Sequence, residues 1–194
     1  MNLDDHSFIE VFFIVLWIMM PAYLSNTFAV ITGGRFPIDQ GKTHSDGNRI
    51  LGDGKTWSGL LGGTLGGILI GYLQLYYGNS IIQSLANTND SNFWGQNPIF
   101  IISLLAFGAL LGDMTASFFK RRNRLNRGDK SPLLDMFDFI GMALLLTLLF
   151  DYEWLKSWIL DGYAPLFTLL VATPVLHRGV NIIGYKLGIK NEPW

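Results

Sequence analysis

Cysteine is absent from this chain, which excludes a disulfide framework, a thiol nucleophile and any cysteine-based metal site. Charge is scarce as well: 15% of the 194 residues are Asp, Glu, Lys or Arg, against 49% hydrophobic. The net charge of -1 points to no particular partner, so only the placement of the charges is informative. The three histidines fall in no Ser/His/Asp arrangement, which leaves covalent catalysis without a candidate. The first apolar block follows Asp4 and Asp5 and no Lys or Arg, so it lacks the basic start of a signal peptide. Internal repeats, linkers and low-complexity tracts are missing too. The Asn/Ser-rich stretch from Ala86 to Gln96 reads as an external loop.

What is present is apolar sequence in long blocks, the composition of a polytopic membrane protein rather than a soluble core. We expect one integral-membrane domain over residues 1–194, all-α, with about five transmembrane helices and two functional loops near 33–56 and 120–132. The blocks run from Phe8 to about Ile31, about Trp57 to Tyr77, Pro98 to about Phe119, and Leu133 to Phe150. A fifth starts between Trp158 and Pro165 and ends near Tyr185. Pro21 and Pro174 fall inside spans, where proline kinks a helix. With five spans, every one of the 14 Lys and Arg residues except Lys156 lies on one side. The positive-inside rule makes that side cytoplasmic and places the N-terminus outside.

In the second block Gly59, Gly63, Gly67 and Gly71 form an i+4 stripe, flanked by Gly62 and Gly66, a device for close helix packing in membranes. The loop before it, Gly33 to Thr56, mixes six glycines with Asp39, Asp46 and Asp53. Glycine backbones cradle anions, and Lys55 stands at the start of the next helix. Gly54-Lys55-Thr56 is not a P-loop, since Arg49 occupies the position of the first motif glycine and no strand precedes it.

The chemistry concentrates between Gly112 and Asp138. Asp113, Ser117 and Lys120 share a helix face at i, i+4 and i+7, and Asp135 and Asp138 share one at i, i+3. Ser131-Pro132 reads as N-cap and first turn, which puts both later carboxylates at a helix start. Asp113 lies ~22 Å along its span, still inside the apolar zone, where an ionisable residue marks function. Asn26 is read as ending the first span on the same side. His177 and Arg178 are read as an interfacial anchor. Carboxylates gather divalent metal and cations gather phosphate, so the stretch reads as a metal-assisted phosphate site.

The order Gly112-Asp113, Ser117, Lys120-Arg121, Asp135 and Asp138 resembles the signature of the membrane CTP-transferase superfamily that contains the phosphatidate cytidylyltransferases. Ser131-Pro132-Leu133-Leu134 stands where that pattern usually has His-Gly-Gly. Together with Pro21-Ala22-Tyr23 through Asn26, Pro37-Ile38-Asp39, Asp46 through Thr56, and Arg127 through Pro132, this resembles the archaeal branch, the CDP-archaeol synthases. The resemblance implies transfer of CMP from CTP to the phosphate of a di-ether isoprenoid glycerol lipid, releasing pyrophosphate, with Mg²⁺ as cofactor. The partners it implies are CTP, the ether-lipid phosphate and the membrane, with no nucleic acid and no implied oligomeric state.

On that reading Asp113, Asp135 and Asp138 hold metal and, with Lys120, form the catalytic set. Ser117, Arg121 and Lys130 handle phosphates. Arg49, Asp53, Lys55 and Thr56 cover the nucleotide, and Asn26 orients a ligand. A CDP-diacylglycerol synthase-like enzyme, a CTP-dependent lipid kinase and a transporter or channel are the competing readings.

Overall fold

A computed structural model describes residues 6–86, 92–125, 129 and 131–188, without the side chains of Pro132 and Leu133. The long elements are α1 (Phe8–Thr32) and α2 (Trp57–Tyr77), α4 (Pro98–Arg122) after the short α3 (Asn79–Leu85), and α5 (Pro132–Phe150). A turn α6 (Tyr152–Leu155) runs into a π-helical stretch, Lys156–Leu160, before α7 (Ala164–Lys186). No strand forms among the described residues, only isolated bridges between Pro37 and Thr56 and between Thr43 and Arg49. Helices α1, α2, α4 and α7 are each long and apolar enough to cross a bilayer. Helix α5 occupies the remaining expected span; its 19 residues reach about 28 Å at the α-helical rise.

Side-chain caps close the starts of α1 and α2, whereas Asn97 before α4 and Ser131 before α5 make none. Ser7 and Glu10 form a reciprocal capping box at α1, and Thr56 Oγ1 accepts from Gly59 N–H to cap α2. At α5 the Ser131 N–H instead donates to Asp135 Oδ2 at 3.0 Å. The carboxylate in the first turn thus ties the residue before the helix to it, while the serine hydroxyl makes no cap bond.

The glycine stripe is packing surface. A Cβ on Gly67 would lie 2.1 Å from Ser25 Oγ and 2.7 Å from Ala106 Cβ, and one on Gly63 2.8 Å from Ser25 O and from Leu110 Cδ1. Gly59 faces Ala29 O, and Gly71 faces Ile102. Helix α2 therefore seats against both α1 and α4, where van der Waals contact rather than hydrophobic transfer drives association in lipid. The shared core runs through Ile14, Ile18, Met19, Ile101, Ile102, Leu105 and Ala109, all fully buried.

At one end of the bundle, the loop from residue 33 to 56 (loop 1) docks on the basic end of α4. Arg122 donates to Arg49 O at 2.6 Å and Asn48 O at 3.3 Å, pairs with Asp46 at 3.0 Å, and its guanidinium carbon sits 5.1 Å from the centre of the Phe118 ring. At the other end, Trp154 Nε1 donates to Phe93 O at 3.0 Å and the Phe93 and Trp158 rings stand 5.3 Å apart. This corrects the reading of Ala86 to Gln96 as plain loop, because Ala86, Phe93 and Trp94 are core residues. In a polar-looking stretch, two aromatics find an apolar slot that only α6 and its π turn create. The two loops expected on one side thus meet, and so do the two connections expected on the other.

Candidate active site

Loop 1 is built around Asp39. Its carboxylate, with a side chain only 1% exposed, accepts from the N–H groups of Gly41, Leu51 and Gly52 at 3.2, 3.0 and 2.8 Å. Arg49 closes it with two parallel bonds, Nε to Oδ2 at 3.2 Å and Nη2 to Oδ1 at 2.6 Å. Burial alone would raise the Asp39 carboxyl, but the Arg49 guanidinium and the Gly52, Leu51 and Gly41 amides outweigh it and hold it well below the usual carboxylate range. The same bonds push Arg49 further above its ordinary value, its Asp39 contact first and its 2.7 Å pair with Asp53 second.

Because the folded carboxyl is depressed, this contribution to loop stability is present above the ordinary carboxylate pKa and is lost as pH falls below it. Replacing Asp39 by Asn should leave Arg49 and three amides underpartnered. We expect loop 1 to open by on the order of 2 kcal/mol, about thirtyfold in limited-proteolysis rate within residues 33–56. Cleavage at the wild-type rate would show that Asp39 is not the keystone.

Sequence reasoning named Asp39 without giving it a role, although Gly41 two residues on is the partner of an Asx turn. Arg49 and Asp53, expected at the nucleotide, are engaged with Asp39 and with each other. Thr56 acts locally: besides capping α2, its Oγ1 accepts from Gly34 N–H at 3.2 Å. Gly52 has φ 90°, and a Cβ there would meet Arg121 Nε at 3.2 Å. A side chain there would be strained by the backbone and crowded by Arg121. Arg121 lies against this turn, donating toward Leu51 O at 3.5 Å and to Leu125 O.

From this clamped loop Lys55 reaches across to α4, and its Nζ lies 2.5 Å from Asp113 Oδ2. Two turns further along the same face of α4, Lys120 pairs with Asp135 of α5. Asp138 accepts from Phe139 N–H at 2.6 Å and stands within electrostatic reach of Asp113, Lys55 and Asp135. Gly112 makes this possible: the α5 backbone crosses it so closely that a Cβ would lie 2.1 Å from Asp138 O. Loop 1, α4 and α5 thus bring Lys55, Asp113, Lys120, Asp135 and Asp138 together. Ser117 is buried on α4 between them. Lys130 lies outside the described residues.

Asn26 sits inside α1 rather than at its end, because the helix continues to Thr32. Its Oδ1 is buried without a hydrogen-bond partner. His177, expected as an anchor, lies with its ring 6.2 Å from Phe139 and its Nε2 3.0 Å from Asn181 Nδ2, and Asn181 is itself buried. An open hollow of about 810 Å³ lined by Phe36, Pro37, Gln40, Gly41, Asp53 and Trp57 contains none of the carboxylates of α4 and α5, so the chemistry is not placed there.

Among the described residues no three His, Asp or Glu side chains gather tightly enough to hold a metal ion alone. Magnesium does not require that, since it commonly takes one or two carboxylates and completes its shell with water and substrate phosphate oxygens. Asp113 and Asp138, hard oxygen donors on helices that touch at Gly112, fit that demand.

The sequence matches the CarS-like family, described as CDP-archaeol synthase, over residues 8–194. The CDP-archaeol synthase of Methanospirillum hungatei JF-1 is 50% identical over 176 residues, covering 91% of this chain and all of that one. The protein of the same name from Methanosarcina acetivorans is 45% identical over 179 residues with the same coverage. A solved structure described as an intramembrane enzyme for archaeal membrane lipids biosynthesis superposes with TM-score 0.66 at 35% identity, covering 86% of this chain and 92% of that one.

Proposed function

This chain belongs to the CDP-archaeol synthase family, and from that premise we infer that it is a membrane cytidylyltransferase of archaeal lipid synthesis. It joins CMP from CTP to the phosphate of a di-ether isoprenoid glycerol lipid and releases pyrophosphate. The observation that carries the reading is the convergence of Lys55, Asp113, Lys120 and Asp135, drawn from loop 1, α4 and α5, into two Lys–Asp pairs at one bundle end.

The difficulty in the reaction is electrostatic. The lipid phosphate is already an oxyanion and needs no strong base, but it must approach a triphosphate of the same sign. Lys55 and Lys120 neutralise that repulsion, and Ser117 and Arg121 stand beside them on α4 to orient phosphate oxygens. Lys130 adds a cation from the α4–α5 connection. Asp113 and Asp138, with Asp135 directly or through water, would hold magnesium, and the ion would supply electrostatic stabilisation of the phosphoryl charge. Loop 1, kept rigid by Asp39 and Arg49, presents Lys55, and Asp53 and Thr56 flank it. Asn26 offers its buried carbonyl oxygen from α1. The cationic bundle end faces the cytoplasm, where CTP is, with the N-terminus outside.

CTP labelled on the α-phosphate, incubated with the purified protein, Mg²⁺ and a geranylgeranyl ether-lipid phosphate, should pass its label to the lipid with stoichiometric pyrophosphate. A lipid kinase would label the lipid only from the γ-position. Absence of α-label on the lipid would defeat the reading.

A further inference from the structure

The two pairs raise a problem for ligand binding. Two of the three carboxylates read as metal ligands are already occupied by a cation, and the two lysines read as phosphate holders are already occupied by an anion. Lys55 Nζ is 2.5 Å from Asp113 Oδ2, and Lys120 Nζ is on Asp135 Oδ1. Both pairs are partly shielded from solvent: the lysine side chains are 20% and 17% exposed and the aspartates 38% and 27%. Each pair also joins different elements, loop 1 to α4 and α4 to α5. Asp138 adds a third carboxylate within electrostatic reach of Asp113 and Lys55. Carboxylates are thus crowded where α4 and α5 touch at Gly112, and the ammonium groups of Lys55 and Lys120 balance those of Asp113 and Asp135.

Resting on the cytidylyltransferase reading above, we propose that Lys55 and Lys120 are placeholder cations. They occupy the carboxylates until a divalent ion takes them and are released to the triphosphate by that exchange. The lysines then have two successive partners, carboxylate without ligands and phosphate with them.

The physical argument is one of linkage. A divalent ion arriving alone must displace an ammonium that has nowhere to go, and CTP arriving alone must draw the lysines off carboxylates left unbalanced. Arriving together, each supplies what the other displaces, so each strengthens the other by the same factor. The two Lys–Asp pairs are neutral as they stand, and a divalent ion added to them brings the net positive charge a triphosphate needs. The exchange also keeps the resting carboxylates from holding stray cations tightly.

The proposal makes a prediction of unusual sign. Removing a lysine that serves only phosphate leaves metal affinity unchanged, and removing one that serves only to brace loop 1 lowers it. Removing a placeholder raises it. The test uses the full-length protein in detergent without nucleotide, titrated with Mn²⁺, which shares the oxygen-ligand preference of Mg²⁺ and whose free form is read by electron paramagnetic resonance. We expect K55M to bind Mn²⁺ at least about fivefold more tightly than wild type, with K120M moving the same way.

Both variants should lose tight CTP binding when Mn²⁺ is present. Lys55→Gln serves as a second probe if the methionine variant elutes as aggregate. Mn²⁺ affinity unchanged or weakened in the Lys55 and Lys120 variants alike would overturn the proposal. The function itself is judged separately, by α-label transfer in wild type, so a chain that labels lipid yet shows no rise in Mn²⁺ affinity loses only this inference.

Discussion

Replacing Gly112 by alanine is expected to stop CMP transfer although it touches no charged group. The added methyl would sit 2.1 Å from Asp138 O, 2.6 Å from its carbonyl carbon and 2.8 Å from Phe139 Cα. All three are backbone atoms of a neighbouring helix, so no side-chain rotation relieves the clash; α4 and α5 must separate. Overpacking of this kind costs typically ~1–3 kcal/mol in stability, and helices α4 and α5 have the rest of their shared surface to absorb it. Catalysis is less tolerant, because misplacement of reacting groups by about 1 Å costs on the order of a hundredfold. We therefore expect folded protein, by circular dichroism and gel filtration, with turnover reduced at least about a hundredfold. Gly141→Ala on α5 is the matched control, since a Cβ there meets nothing within 4 Å and turnover should be unchanged. Equal activity of the two variants would mean that the α4–α5 crossing does not set the site.

Asp113→Asn removes charge where Gly112→Ala removes fit. The amide keeps the shape and can still accept from Lys55, but it no longer offers a carboxylate to a divalent ion or balances the ammonium 2.5 Å away. Two magnitudes decide the outcome. As a stabilising contact the pair is partly exposed and worth ~0–1 kcal/mol, so folding should be unaffected. As part of the charge arrangement around a developing oxyanion, one such group is worth roughly 2.7–4 kcal/mol, or about 10²–10³ in rate. Loss of α-label transfer by that factor, with unchanged thermal unfolding, is the expected result, and Asp113→Glu should recover part of it. Wild-type turnover in the asparagine variant would remove Asp113 from the chemistry altogether.

Much of the fold was legible because hydropathy is a local property. The second block ends where α2 ends, at Trp57 and Tyr77, and the third differs only in that α4 carries on past Phe119 to Arg122. That extra turn matters: it puts Lys120, Arg121 and Arg122 on a rigid helix end rather than in a loop, which is why they can clamp loop 1 and reach Asp135. The short α3 and α6 escaped notice because a few residues carry no periodicity to read. Phe93 and Trp94 were misplaced because nothing in Asn-, Ser- and Gly-rich surroundings announces a pocket formed by residues some 60 positions later.

For the candidate site, residue types and spacing named the residues that come together but not how they pair. Asp113, read as a metal ligand, pairs with Lys55, 58 positions away. Arg49, read as covering the nucleotide, is tied to Asp39 by two bonds that no spacing announced. Ser131 read as the cap of α5, but its hydroxyl makes no cap bond and its N–H donates to Asp135.

The amino-acid sequence by itself determined the apolar blocks that become the long helices, the glycine face of α2 and the order of the acidic and basic residues. Each of those depends only on which side chains lie within a helical turn or two of one another. Tertiary structure alone decided which lysine neutralises which aspartate, that Asp39 organises loop 1, and that the α4 and α5 carboxylates meet across a bare glycine. Those outcomes depend on how close separate backbones approach, and a chain records that distance only after its helices have packed.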